Sequence, residues 1–173
     1  MSHLQLGNSR WIAIGLAVFI MSCSEVTESE HVSAGDEKVL TPLTVYKTAT
    51  CGCCKKWVEH ISEHGFKTDI IDQRDLSAVK KSNGISPQYQ SCHTAISPQG
   101  FVFEGHIPAR YIQQFLSEEH IDAIGLSVPG MPAGSPGMEV GDRFQPYNIL
   151  LLKKDGTAEV YAQVRTKREQ YDD

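Results

Sequence analysis

Three cysteines stand within four residues, Cys51, Cys53 and Cys54, and a fourth, Cys92, follows 38 residues after Cys54. This crowding constrains the chain more than any other feature. Three thiolates in one turn repel one another, so either a cation sits among them or they are oxidised. The cysteines also mark a change of hydrophobic period. Residues 43–48 (LTVYKT) alternate apolar and polar positions with β-branched residues, which predicts a strand. Trp57, Val58 and Ile61 then recur at helical spacing, and Gly65 closes that helix. The cysteines therefore fall at a strand-to-helix junction. There the helix N-terminus supplies N–H donors and about half a positive charge, which stabilise thiolates, and Lys55 and Lys56 add to that field.

Further along, residues 68–71 read as a second strand, and Asp75 caps a short helix running to Asn83 and ended by Gly84. A third strand, 92–96, turns at residues 98–100 into 101–103 as a hairpin. Pro108 fits the first position of a helix reaching about Glu119, with Ile112, Phe115 and Leu116 inward. A Gly/Pro-rich stretch, 125–146, reads as loop. Residues 148–152 and 159–164 flank an Asp155-Gly156 turn and predict a second hairpin. The order β-α-β-α-β-β-α predicts an α/β, thioredoxin-like fold with an added C-terminal β-hairpin and a long Gly/Pro/Met loop. Ligand sites of such sheets lie beyond the carboxyl ends of strands, beside helix N-termini.

The 173 residues allow one such domain with short appendages. Arg10 precedes an apolar run, 11–21, that is too short to span a bilayer but suits a signal-peptide core. Ile20-Met-Ser-Cys23 resembles a bacterial lipobox, which makes Cys23 a lipidation site; plain secretion and a retained anchor are the other outcomes. The organisation expected is 1–23 signal peptide, 24–41 flexible acidic tether, 42–165 metal-binding domain and 166–173 polar tail. Export to the periplasm follows, with a lipid anchor as the one membrane contact, and Ser24 favours the outer membrane. The net charge of −5 leaves no basic face for nucleic acid. No Ser/His/Asp triad, P-loop or dinucleotide-binding glycine motif is present.

Cys51 and Cys54 form a CxxC, so a thioredoxin-type thiol–disulfide oxidoreductase is one interpretation. Against it, Cys53 would compete as a resolving thiol, and Ser91-Cys92-His93 stands where a cis-proline would face the motif. Structural zinc prefers two separated CxxC knuckles, so it fits less well. An inert disulfide module, with all four thiols paired, is a third interpretation. Cu(I) fits best, because soft thiolate and thioether ligands select it and bridging sulfurs allow a multinuclear cluster. Four thiolates with four Cu(I) would be neutral, which bounds the stoichiometry. Met131 and Met138, in a polar loop with no burial periodicity, are then available as thioether ligands. His93 and His106 are candidate ligands or donors, although regular strand alternation would turn His93 away from Cys92. His60 and His64 share a helix face expected to be solvated, and Trp57 is expected to anchor the core.

Residues 46–57 (YKTATCGCCKKW), 91–95 (SCHTA), 104–108 (EGHIP) and 128–139 (VPGMPAGSPGME) resemble, in order, the copper-resistance CopG family of exported proteins, domain-of-unknown-function family 411. The resemblance spans 43–164. It implies a thioredoxin-like fold, a CxCC-centred copper site and periplasmic copper handling, with interconversion of Cu(I) and Cu(II) as an added activity. The chain is therefore expected to be a binding protein more than an enzyme. Its partners would be copper ions and copper efflux or copper oxidase proteins.

Overall fold

The computed structural model describes residues 40–171. The expected signal peptide, with Cys23, and residues 24–39 of the expected tether lie outside them. The elements are β1 (Thr41–Lys47), α1 (Gly52–Glu63), β2 (Phe66–Asp72), α2 (Ser77–Ser82), β3 (Thr94–Ile96), β4 (Val102–Glu104), α3 (Ala109–Ser117), β5 (Ala123–Ser127), β6 (Tyr147–Lys153) and β7 (Ala158–Val164). Short 3-10 turns occupy Pro87–Tyr89 and Arg168–Gln170. The strands form one seven-stranded mixed sheet ordered β2-β1-β3-β4-β5-β6-β7. β1 pairs with β2, and β4 with β5, in parallel; the remaining pairs are antiparallel. Among the described residues no helix is long and apolar enough to cross a membrane.

Strand alternation divides the core. Phe103 joins Trp57, Ile61, Ile112, Phe115 and Leu126 in the main cluster, which α1 and α3 cover. Its neighbour Val102 points the other way and packs with Ile85 and Leu152 in a smaller cluster. Trp57 is fully buried, as its helical spacing predicts, and its indole Nε1 donates to the Ile107 carbonyl at 2.8 Å. That single ring ties α1 to the segment leading into α3, and burying it contributes about 2–3 kcal/mol.

Two expectations are corrected here. Residues 123–127, whose last three lie in the stretch read as loop, are strand β5. Its Gly125 has no side chain, so the strand passes the backbone of Val102 more closely than any Cβ would allow. His60 is buried rather than solvated. Pro108, at the N-cap of α3, has no side-chain acceptor to offer, and the imidazole Nε2 of His60 accepts the Ala109 N–H at 3.0 Å instead. One helix thus caps another. The polar tail also folds back: Gln170 is buried, accepts from the Tyr147 hydroxyl and donates to the Gly134 carbonyl.

Burial, reinforced by the neighbouring His64, lowers the pKa of His60 from 6.5 to about 4. The neutral ring therefore stabilises the fold fully above pH 6.5, and this contribution is lost as the pH falls toward 4. Urea unfolding is expected to show a loss of about 3 kcal/mol across that window. His60→Gln, which keeps an acceptor but cannot titrate, should flatten this part of the profile. An unchanged slope in the variant would contradict the assignment.

Candidate metal centre

Cys51 is the N-cap of α1, and its Sγ accepts the Cys54 N–H at 3.3 Å. A cap of this kind normally uses oxygen; here the sulfur takes the role, which fixes the cysteine turn against the helix N-terminus. Cys53 and Cys54 occupy the first turn, Cys54 fully buried and the other three cysteines half-buried. Cys51 and Cys54 are joined in a disulfide, while Cys53 and Cys92 are free. The inert-module interpretation, which pairs all four thiols, is overturned by those two free thiols. Cys53 Sγ lies 3.4 Å from Cys51 Sγ, and Cys92 Sγ lies 3.4 Å from Cys54 Sγ. All four sulfurs fall within 4.8 Å of one another.

A second group shares Cys92. Donor atoms of Cys92, His93 and His106 also lie within 4.8 Å of one another. His106 Nδ1 is 2.8 Å from the Pro136 carbonyl, which can only accept, so Nδ1 carries the hydrogen. Its Nε2 lone pair then faces Cys92 Sγ at 3.1 Å. His93 precedes β3 rather than lying in it, so strand alternation does not turn it away; its Nδ1 is 3.4 Å from the same sulfur. His93 packs between Trp57 and His106, at ring-centroid distances of 4.2 and 5.0 Å. It is fully buried, and its Nε2 has no hydrogen-bond partner among the described residues.

Burial sets the protonation of this group. It pushes the Cys92 thiol up to about 12, with the Cys53 sulfur adding to the shift. It lowers His93 well below the ordinary imidazole range, helped by His106 and Lys80, and it lowers His106. The imidazoles are neutral, the form able to bind a metal, and the Cys92 thiol keeps its proton at neutral pH.

The segment bearing Cys92 is held by the buried carboxylate of Glu104, which opens the 104–108 motif but is not among the candidate ligands. Glu104 Oε1 accepts the Ser91 N–H at 2.6 Å, Oε2 accepts the Thr94 hydroxyl at 2.6 Å, and Lys80 Nζ pairs with Oε1. Burial raises the Glu104 pKa, and Lys80 opposes that rise. A lysine in a short polar helix and a glutamate ending a strand carry no pattern that marks them as partners. Gly105 follows at φ +79°, and a Cβ there would meet Ser91 Oγ at 2.5 Å and the Val128 carbonyl at 2.6 Å. The glycine lets three segments cross beside Cys92.

The Gly/Pro/Met loop lies against the cysteine turn through its backbone. Gly137 is so close that a Cβ would meet the Cys53 carbonyl at 2.6 Å and the Trp57 nitrogen at 2.8 Å. Met138 is the next residue and is half-buried. Met131 is 53% exposed, and its neighbour Gly130 is tied to Gln90 and Ser91. The donors thus come from three stretches of chain: the α1 turn, the β3 approach and the corner after β4.

A protein family described as "Protein of unknown function, DUF411" matches residues 89–138, the stretch holding Cys92, His93, His106 and both loop methionines. Two solved structures, described as copper resistance protein CopG form 1 and form 2, are similar to this chain at 41% and 42% identity, with TM-scores of 0.67 and 0.68. Each alignment covers 72% of this chain and 98% of the other. No curated protein matches the chain.

Removing one member of a buried ion pair leaves its partner uncompensated. Lys80→Met is therefore expected to cost about 3 kcal/mol in urea unfolding. The double variant Lys80→Met/Glu104→Gln should recover part of that loss. Equal stability of Lys80→Met and the natural chain would contradict the role given to the pair.

Proposed function

The chain belongs to the CopG-like copper-resistance family, and from that premise we propose that it is a periplasm-facing protein that holds Cu(I) in a thiolate cluster of Cys51, Cys53, Cys54 and Cys92. One observation carries the proposal: four sulfurs from two distant segments lie within 4.8 Å of one another. Thiolates select Cu(I) over harder cations, and sulfurs this close can bridge several ions. The donor set fits the cargo, because the helix N-terminus stabilises the thiolate form that a soft cation takes as its ligand. The four-sulfur set forms when an external dithiol reduces the Cys51–Cys54 disulfide by two electrons and two protons and is itself oxidised to a disulfide. Each thiol then releases its proton as copper binds.

Met131 and Met138 complete the site as thioether ligands from the covering loop. The proximity of Gly137 to the cysteine turn supports Met138 in that role most strongly. The domain is read as thioredoxin-like: the β2-β1-β3-β4 order, with its cysteine turn between β1 and α1, supports that plan. β6 and β7 would then be the added hairpin. The chain is taken to act after export, anchored through a lipidated Cys23. It passes copper to efflux or oxidase partners and cycles the metal between Cu(I) and Cu(II), exchanging one electron per ion with those partners.

The disulfide favours a second interpretation, a thiol–disulfide oxidoreductase using Cys51 and Cys54. The two separate cleanly. Full-length protein, reduced and loaded with Cu(I) without oxygen, should lose most of its copper by elemental analysis when Cys53→Ser or Cys92→Ser is introduced. Copper content unchanged in both variants would discard the cluster, and insulin reduction that survives Cys92→Ser would establish the oxidoreductase.

A further inference from the structure

The sheet ends in two open edges, β2 and β7, and the two differ. In β7 the pairing slips opposite Ile149 and Leu150, which leaves Tyr161 unpaired and bends the strand. β2 runs beside β1 from Phe66 to Asp72 without a slip, and among the described residues no backbone hydrogen bond joins it to any segment but β1. A regular strand with a free row of N–H and C=O groups can take another strand. We infer that β2 is the interface of a homodimer, in which the β2 strands of two copies pair antiparallel about a two-fold axis at Thr68. The inference is independent of the copper reading.

Pairing with β1 fixes where the side chains of β2 stand. Phe66, Thr68 and Ile70 lie beside Thr41, Leu43 and Val45, on the face that α1 covers. Lys67 and Asp69 lie beside Pro42 and Thr44 on the opposite face, where Pro42, Thr44, Lys67, Asp69, Ile96 and Pro98 line an open groove. A two-fold axis perpendicular to the sheet sets like faces together, so residues opposite each other share a face. With Thr68 on the axis, Lys67 of each copy meets the partner's Asp69, an ion pair on either side. Phe66 meets the partner's Ile70, and the two Thr68 hydroxyls meet each other. Each of these pair types stabilises antiparallel strands. The neighbouring registers do the opposite. An axis at Lys67 sets lysine against lysine, and an axis at Asp69 sets aspartate against aspartate.

Groups left unused in the single chain agree with this pairing. Ile70 is 45% exposed although it stands on the helix-covered face. Lys67 and Asp69 form no ion pair among the described residues. Charges on an edge strand normally repel a second strand. A lysine and an aspartate two residues apart repel most partners and most registers, yet they match a second copy of themselves run in the opposite direction. The occupant is therefore another copy of this chain, because only a two-fold axis makes one strand complementary to itself.

The test follows the full chain in detergent by sedimentation velocity, from micromolar to millimolar protein. The natural chain is expected to form a reversible dimer, a weak one because residues 66–70 make a short interface. Lys67→Asp and Asp69→Lys each set like charges opposite one another and should weaken the dimer at least about tenfold. The double variant Lys67→Asp/Asp69→Lys restores opposite charges with the signs exchanged and should recover most of that loss. Both positions are exposed, and circular dichroism checks that every variant is folded. Thr68→Cys gives a second measurement: mild oxidation should link two copies at position 68, identified by peptide mass spectrometry, whereas Lys67→Cys should not link to itself. A natural chain that stays monomeric throughout would overturn the proposal. So would a dimer indifferent to the single charge reversals, a double variant as weak as the single ones, or a Thr68→Cys chain that does not link.

Discussion

The carboxylate of Glu104 is the constraint on which the centre depends. It sits fully buried at the end of β4 and receives the Ser91 N–H, the Thr94 hydroxyl and the Lys80 ammonium. Burying that charge is costly unless every acceptor site is used, so the three donors are held in fixed places. Ser91 and Thr94 bracket Cys92 and His93, and His106 lies two residues beyond Glu104. One buried group therefore sets both the cysteine that approaches α1 and the histidine that faces it.

The opposite wall comes from α1. Its N-terminal turn packs three cysteines into four residues because Cys51 caps the helix with sulfur and Trp57 pins the next turn to Ile107. The glycine at 137 lets the Met-containing loop lie on that turn, and the Pro136 carbonyl orients His106. Sulfur and nitrogen donors are thereby concentrated on Cys92, the residue common to both groups. Desolvation and the neighbouring Cys53 sulfur hold the proton on Cys92, so the copper binding proposed above would release it.

Much of this was legible in the residues. Period-2 and helical spacing locate β1, α1 and the β6–β7 pair to within a few positions, and the cysteine spacing identifies the turn that carries the chemistry. Other parts were hidden for physical reasons. β5 escapes because Gly125 breaks its apolar pattern, yet that glycine is what allows its close approach to β4. His60 looks solvated because its burial depends on α3 needing a cap, a tertiary demand with no local signature. His93 looks misdirected only if the strand is extended back to residue 92, whereas pairing begins at Thr94. Lys80 and Glu104 are ordinary charges until folding removes them from water.

Sulfur atoms of the cysteine turn and of Cys92 are proposed to bind copper together. Copper K-edge X-ray absorption on the reduced, Cu(I)-loaded full chain tests this most directly. A coordination shell dominated by sulfur, with a copper–copper vector at short range, is the result this account predicts. A shell of nitrogen and oxygen alone would contradict it.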